Sequence, residues 1–215
     1  MEAFRRVEGV AAPLLRINVD TDQIIPALFL GGTDAKGYGA HLFHHWRFLA
    51  DGSPNPEFIL NQAPYTQAQV LLADRNFGCG SSRERAPKAL REFGFRAVVA
   101  PSFGGIFYNN CFRNGMVPVE LPIEHIRILA QEVSASGGHG PVAVDLEAQC
   151  VTAPSGLRWA FQVPQALRQM LLEGMDEIAL TLAQWPALEA FRAQDRKNRP
   201  WIYEVPRAAD RPSTG

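Results

Sequence analysis

The sequence predicts an α/β domain with a mixed or parallel sheet flanked by helices, followed by a helical C-terminal end. The first observation is a pair of short apolar runs at 69–73 and 96–100, separated by a helical pattern at 87–93 that Gly94 closes. The second is another helical stretch at 103–114 that leads to an apolar run at 116–121. Strands joined by helices in this way predict parallel pairing within one sheet.

The remaining elements are predicted from local patterns along the chain. Residues 7–15 are expected to form a strand that enters the polar loop "NVDTD", and "AHLFHHWRFL" at 40–49 predicts a short, largely buried helix. Alternation of apolar and polar residues in "VAVDL", "CVTA" and "LRWAFQV" predicts shorter antiparallel strands. Two helical stretches are expected over 164–195. We therefore predict one domain at 1–195 and a peripheral tail at 196–215.

The composition limits the classes of function. The formal net charge is -1 over 215 residues, so no overall positive field favours nucleic acid or an anionic membrane surface. Cys79, Cys111 and Cys150 are widely spaced and form neither a disulfide framework nor a metal-type pattern. The N-terminus lacks the apolar run of a signal peptide, and no apolar window of about 18 residues is present. These features predict a soluble cytoplasmic protein without nucleic-acid or membrane partners.

The most informative segment is the loop "NFGCGSSRERAP" at 76–87, between a predicted strand and a predicted helix. Gly78 and Gly80 let the backbone approach a ligand closely, and the N–H groups of such a turn converge on an anion. No Gly-Lys-Ser/Thr follows, and Arg83 takes the place of the third glycine of a dinucleotide loop. Since a guanidinium can hold a carboxylate through two parallel hydrogen bonds, the loop predicts a carboxylate ligand.

Simpler interpretations of these loops remain open on spacing alone. Ser81 and Glu84 could form a capping box at the start of the helix, with Arg83 and Arg85 merely solvated. Pro87 opposes this interpretation, because proline belongs in the first helical turn and lies six residues after Ser81. The "NVDTD" loop could likewise be an Asx-turn that only shapes the backbone.

Three motifs together resemble a known family. The segments "NVDTDQIIP" at 18–26, "NFGCGSSRERAP" at 76–87 and "PSFGGIFYNNCFRNG" at 101–115 are similar to those of 3-isopropylmalate dehydratase small subunits. These are separately encoded swivel domains of the aconitase superfamily, and the resemblance extends to about residue 195. It implies a large partner subunit that carries a [4Fe-4S] cluster, an active site between the two chains, and no cofactor bound by this chain. The implied reaction interconverts 2-isopropylmalate and 3-isopropylmalate, a step of leucine biosynthesis.

The resemblance also implies roles for individual residues. Ser81 matches the base that removes a proton alpha to a carboxylate, Arg83 matches a residue that holds a carboxylate, and Asp22 matches one that orders the arginine or a water. A serine can act as this base only if N–H donors stabilise its alkoxide. The apolar "ALFL" at 27–30 could line a pocket for an alkyl substituent. The expected substrate-binding residues are Ser82, Thr21, Gly80, Leu28, Leu30, Lys36 and Arg85.

Several positions depart from the family pattern. Typical members carry basic residues where this chain has Ala27, Gly32 and Ala35, a histidine in place of Arg85, and an acidic residue in place of Gly105. Lys36 or Arg85 could replace the missing arginine that grips a substrate carboxylate. Two alternatives to the main interpretation therefore stay open: a paralogous dehydratase subunit for another hydroxy acid such as 2-methylmalate, and an interaction domain that has lost turnover.

Two further groups of side chains could carry chemistry. His41 and His44 have the spacing of a helical metal-ligand pair, but no nearby carboxylate completes the set, so these residues and His45 are expected to be packing or surface groups. Cys79 lies in the anion-binding loop, where a thiolate nucleophile would be favoured, yet the resemblance implies a small packing residue.

Overall fold

The computed structural model describes residues 1–30, 37–81, 83–183 and 185–203. The chain divides into two compact units, Met1–Met175 and Asp176–Gly215, and each is described by itself below. The predicted boundary at residue 195 stays a prediction, and residues 204–215 of the predicted tail lie outside the described residues. Within the described residues no helix combines the length and the apolar character needed to cross a membrane.

The described residues of the first unit form eight short strands in two sheets. They are β1 (Arg6–Gly9), β2 (Ala11–Leu14), β3 (Val70–Ala73), β4 (Ala97–Ala100), β5 (Val117–Glu120), β6 (Val142–Asp145), β7 (Cys150–Thr152) and β8 (Arg158–Ala160). One sheet is parallel with the order β2-β3-β4-β5, and the other is antiparallel with the order β1-β6-β7-β8. The predicted α/β class is therefore confirmed, with the parallel and antiparallel strands in separate sheets.

The parallel sheet forms the centre of the first unit. Every residue of β3 and β4 is buried, as expected when both faces of a parallel sheet are covered. The predicted strands at 69–73, 96–100 and 116–121 match β3, β4 and β5 to within a residue or so at each end.

The predicted strand at 7–15 is two strands instead of one. β1 pairs with β6 in the antiparallel sheet, whereas β2 pairs with β3 in the parallel sheet. The chain changes sheets at Val10, whose carbonyl accepts hydrogen bonds from the N–H of Gln69 at 2.9 Å and of Val70 at 3.2 Å. Val10 alone separates the two strands, so no loop marks the change of partner in the sequence.

Eight α-helices are found in the described part of the chain. They are α1 (Thr21–Ile24), α2 (His44–Arg47), α3 (Arg85–Phe93), α4 (Gly105–Arg113), α5 (Ile123–Ala135), α6 (Gln165–Glu173), α7 (Glu177–Ala183) and α8 (Trp185–Asn198). The predicted helices at 87–93 and 103–114 correspond to α3, which ends at Gly94, and α4. Three helices, rather than the predicted two, occupy 164–195, and α7 and α8 belong to the second unit.

The predicted helix at 40–49 is mostly absent. A 3-10 helix, Tyr38–His41, precedes the single turn of α2. Phe43 separates them because its backbone has φ 49°, in the left-handed region. Leu42 and Phe43 are fully buried, so the expected burial of this segment is confirmed at its centre.

Helix α5 is not among the predicted elements. Ile126, Leu129, Ala130 and Val133 are buried at the spacing of one helix face, and α5 packs against β2, β3 and β4. This helix covers one face of the parallel sheet and leaves the carboxyl ends of its strands accessible to the loops described next.

Candidate active site

Three loops meet at the carboxyl ends of β2, β3 and β4. The Asn18 N–H donates to the Arg75 carbonyl at 3.0 Å, and the Gly78 N–H donates to the Val19 carbonyl at 2.7 Å. The Phe77 N–H donates to the Ser102 carbonyl at 3.1 Å and so joins the third loop. Because parallel strands end at the same edge of a sheet, the three motifs found in the sequence converge on one place.

Two asparagines hold the first two loops together. Asn76 Nδ2 donates to Asn18 Oδ1 at 2.9 Å, and both residues have positive φ, 60° and 55°. Asparagine tolerates this left-handed conformation better than most residues. Neither side chain is among the predicted site residues, although asparagine at the start of a loop is a recognisable signal.

The glycines of the second and third loops allow a very close backbone approach. A Cβ added to Gly104 would lie 2.4 Å from the Gly78 carbonyl oxygen, and one added to Gly78 would lie 2.2 Å from the Phe107 ring. The Gly104 N–H also donates to the Phe77 carbonyl at 2.9 Å. The loops that carry the site are therefore in direct contact, with no space for side chains between them.

Asp22 and Arg83 form an ion pair between the first and second loops. The two terminal nitrogens of Arg83 donate to both carboxylate oxygens of Asp22, and one of them also donates to the Ile25 carbonyl at 3.2 Å. The side chain of Arg83 is 15% exposed and that of Asp22 is 56% exposed. Bidentate pairing fixes the plane of the guanidinium, so its remaining N–H groups have a defined direction.

Thr21 contacts the backbone of the glycine-rich loop. Its hydroxyl donates to the Ser81 carbonyl at 3.0 Å, and its N–H donates to the Cys79 carbonyl at 2.9 Å. The residue is 2% exposed, so its hydroxyl is directed into the protein instead of toward solvent. Thr21 is thus placed beside Ser81, while its predicted contact with substrate stays a prediction.

Ser81 is exposed at the start of the segment that leads into α3. Within the described part of the chain, the backbone N–H groups of Gly80 and Ser81 donate to no protein acceptor, so both can meet an anion. Helix α3 begins at Arg85, and its N-cap residue, Glu84, makes no side-chain capping hydrogen bond. The alternative in which Ser81 and Glu84 form a capping box is therefore wrong, because the helix starts too late for Ser81 to cap it.

The other predicted site residues are distributed around this centre. Leu28 lies in the 3-10 helix Ala27–Leu30 and is 67% exposed, whereas Arg85 is exposed at the start of α3. The side chain of Leu30 and the residues Ser82, Ala35 and Lys36 lie outside the described residues.

Tyr38 is a neighbour of the site that the sequence analysis missed. The Arg85 guanidinium carbon lies 5.8 Å from the centroid of its ring, and the Lys88 ammonium lies 5.3 Å from it. Both distances are within the range of cation–π attraction. The signal was available as an aromatic residue between two glycines in "GYG".

The three cysteines lie in three different surroundings. Burial and the nearby Asp20 carboxylate raise the pKa of the Cys79 thiol, so the expectation that this loop favours its thiolate is wrong. Cys111 is fully buried in α4 with a raised pKa, and Cys150 belongs to β7 in the other sheet. The described residues contain no group of three or more His, Cys, Asp or Glu side chains that could hold a metal. The cysteines of this chain therefore do not fit an iron-sulfur cluster.

The histidines near the first loop pack against aromatic rings. The Phe29 ring is stacked on His41 at 3.9 Å and meets His44 edge-on at 4.6 Å between centroids. Burial, followed by the neighbouring His45, His41 and Arg47, lowers the pKa of His44. These contacts agree with the packing role expected from the sequence.

Two protein families match successive parts of this chain. The family described as Aconitase C-terminal domain matches residues 1–124, and the one described as LeuD_N matches residues 127–164. The fold and the three converging loops thus define an aconitase-type domain. A solved 3-isopropylmalate dehydratase structure from Methanocaldococcus jannaschii has a TM-score of 0.61 and 25% identity, over 87% of this chain and 99% of that chain.

Curated relatives identify the family more closely. The 3-isopropylmalate dehydratase small subunit of Cupriavidus necator is 52% identical over 94% of this chain and 99% of its own length. The protein of the same name from Gluconacetobacter diazotrophicus is 48% identical over 94% and 97%, respectively. A third, from Neisseria meningitidis serogroup C, is 45% identical over 94% and 99%. The chain belongs to the family of 3-isopropylmalate dehydratase small subunits.

Proposed function

We propose that this chain is the small subunit of a hydro-lyase that interconverts 2-isopropylmalate and 3-isopropylmalate in leucine biosynthesis. The supporting observation is the Asp22–Arg83 ion pair next to Ser81, on a loop whose backbone N–H groups are available to an anion. The chain would be active only with a large subunit, in the cytoplasm. The expected absence of nucleic-acid and membrane partners stays a prediction.

Ser81 is proposed as the base. Its Oγ, as the alkoxide, takes the proton from the carbon alpha to a substrate carboxylate. The hydroxyl group on the neighbouring carbon takes a second proton from a general acid, which is proposed to belong to the large subunit, and leaves as water, so an alkene forms. Addition of water in the opposite sense gives the isomer and returns the proton. A serine alkoxide is far too basic to persist in water, so the N–H groups of Gly80 and Ser81 would have to stabilise it.

Arg83 is proposed to bind the carboxylate beside the carbon that loses the proton. Negative charge accumulates on this carboxylate as the proton leaves, and a charge-assisted hydrogen bond to a fixed guanidinium grows stronger at that moment. Asp22 keeps the guanidinium in place before substrate arrives, because it holds both terminal nitrogens. This preorganisation lowers the cost of binding.

The partner is proposed to cover this face of the domain. Ile17, Leu28 and Ile106 come from the same converging segments and are 51%, 67% and 54% exposed. Large exposed apolar side chains around a polar centre are typical of an interface. Since the cysteines here do not fit a cluster, the [4Fe-4S] cluster, which supplies Lewis-acid chemistry when bound, is expected on the large subunit.

The test is reconstitution with the large subunit encoded in the same genome. The two chains would be co-expressed and purified without oxygen, and alkene formation would be followed from 3-isopropylmalate, 2-methylmalate, citrate and homocitrate. We expect turnover of 3-isopropylmalate above that of the other acids. Fast turnover of another acid, or none in a stable complex, would assign the departures at Ala27, Ala35, Arg85 and Gly105 to a changed function.

The Ser81→Ala variant tests the proposed base within the same assay. We expect it to lower kcat by about 10²- to 10⁴-fold, the usual contribution of a positioned acid or base, and to leave partner binding unchanged. Ser155→Ala is a matched control, because Ser155 is an exposed serine in the turn between β7 and β8 of the other sheet. Undiminished activity of Ser81→Ala would rule out the proposed base.

A further inference from the structure

We propose that Thr21 is a positioning residue, whose hydroxyl and N–H fix the turn at 79–81 so that Ser81 faces the substrate. The inference rests on the proposed function of Ser81, and it gives Thr21 a role different from substrate binding.

Thr21 donates to the first and the last carbonyl of this turn. The Thr21 N–H donates to the Cys79 carbonyl at 2.9 Å, and the Thr21 hydroxyl donates to the Ser81 carbonyl at 3.0 Å. Gly80, between them, lies in a bend and has φ 92°, in the region that favours glycine. A Cβ added to Gly80 would lie 3.4 Å from Asp20 Cβ and 3.7 Å from Thr21 Oγ1, so the start of α1 is close to this turn.

The two hydrogen bonds have a consequence for the opposite side of the turn. In a trans peptide the carbonyl and the following N–H point in opposite directions. Because the Cys79 carbonyl is directed at Thr21, the Gly80 N–H is directed away from it. The hydroxyl contact to the Ser81 carbonyl likewise restrains the backbone that carries the Ser81 side chain. Thr21 thereby determines where the base and an adjacent N–H donor point.

Thr21 can act in this way because its own position is fixed. It is 2% exposed, and as a β-branched residue it has few side-chain rotamers. It is the first residue of α1, which has a reciprocal capping box at its start. The Gln23 N–H donates to Asp20 Oδ1 at 2.7 Å, and the Asp20 N–H donates to Gln23 Oε1 at 3.0 Å. Asp22 follows in the same turn, so α1 positions both the base and the arginine.

The test compares Thr21→Val, which removes the hydroxyl at nearly constant volume, with Thr21→Ser, which retains it. Both variants would be measured in the complex with the large subunit. We expect Thr21→Val to lower kcat by about 10- to 100-fold with little change in KM, since small misplacements of catalytic groups have effects of this size. Thr21→Ser should keep most of the activity of the original chain.

Several outcomes would overturn the proposal. A raised KM with unchanged kcat in Thr21→Val would mean that the hydroxyl binds substrate. A larger loss in the serine variant than in the valine variant would mean that the γ-methyl group, which valine retains and serine lacks, matters instead of the hydrogen bond. Should the valine variant fail to fold, Thr21→Ala and Thr21→Ser provide the same comparison.

A second readout separates this proposal from the proposed function. Hydrogen exchange of the loop at 76–87 is measured in the free chain and needs no turnover. We expect Thr21→Val to accelerate exchange in this loop by about tenfold or more, as loss of a buried hydrogen bond implies, and Thr21→Ser to leave it unchanged. Unaltered exchange in Thr21→Val would overturn the positioning role. An inactive wild-type complex would instead count against the dehydratase assignment.

Discussion

Gly104 lies against the carbonyl group of Gly78, so closely that a methyl group on Gly104 would be 2.4 Å from that oxygen. The contact joins the loop after β4 to the loop that carries Ser81. Because the neighbour is backbone and not a flexible side chain, it cannot move aside without moving the site. The spacing of the two loops therefore depends on the absence of a single side chain.

The first prediction concerns this contact. Gly104→Ala should destabilise the chain by about 1 to 3 kcal/mol, the usual cost of overpacking, and should lower the activity of the complex. Gly105→Ala is the matched control. Gly105 is the first residue of α4, and a Cβ added there would meet no atom within 4 Å. The control should be neutral or slightly stabilising. The stabilities of the two variants would be measured by thermal denaturation. Equal stability of Gly104→Ala and Gly105→Ala would contradict the prediction.

The second prediction concerns the carboxylate grip. Arg83→Lys keeps the charge but cannot pair with Asp22 through two nitrogens, so kcat/KM should fall by about 10- to 150-fold, equivalent to 1.5 to 3 kcal/mol. Arg91→Lys is a suitable control, because Arg91 also pairs with a carboxylate, that of Glu2, but lies at the opposite end of α3. Steady-state kinetics of the complex decide the matter. Similar kcat/KM values for both variants would exclude a special role for Arg83.

The third prediction concerns the partner surface. Ile106→Asp should weaken binding of the large subunit by about tenfold or more, since a buried apolar anchor typically contributes more than 1 kcal/mol. Leu157→Asp is matched in exposure, 51% against 54%, but lies in the turn between β7 and β8. Its binding should equal that of the original chain. The measurement is calorimetric titration of each variant with the large subunit. Equal binding by Ile106→Asp and the original chain would show that the partner docks elsewhere.

The fourth prediction concerns acid stability. The pKa of His44 is lowered in the fold, chiefly by burial, and its Nδ1 is buried without a hydrogen-bond partner. Below the ordinary histidine pKa of about 6.5, the unfolded chain therefore binds a proton that the folded chain resists, so stability falls as the pH drops. His41, His45 and Arg47 add positive charge around the ring.

Substitution isolates this contribution. His44→Phe keeps an aromatic ring beside Phe29. Between about pH 7.5 and about pH 5.5, the melting temperature of this variant should fall less than that of the original chain. His139→Gln removes an exposed histidine and should behave as the original chain does. A His44→Phe protein with the original pH dependence would show that the imidazole is not responsible.

Much of the parallel sheet could be predicted because its strands are short apolar runs with clear helical intervals. Helix α5 carried a predictive signal, since Ile126, Leu129, Ala130 and Val133 repeat at helical spacing. The change of sheet at Val10 could not be predicted, because only this residue separates β1 from β2, and the partner of each strand lies far away in the sequence.

The candidate site was predictable as a set of motifs but not as an arrangement. Gly78, Gly80 and Arg83 indicated an anion-binding loop from their local order. The inward direction of the Thr21 hydroxyl depends on contacts between residues sixty positions apart. Local pattern contains no information about such contacts, so a buried threonine and a substrate-binding threonine look alike in the sequence.

The pairing of β1 with β6 has a consequence for how the protein is made. Arg6 is opposite Asp145, so β1 has no partner in its sheet until β6 has been synthesised. The parallel strands β2 to β5 all lie between them and can associate first. Assembly of the antiparallel sheet is thus delayed until late in translation, and this large sequence separation predicts slow folding compared with a helical bundle of similar size.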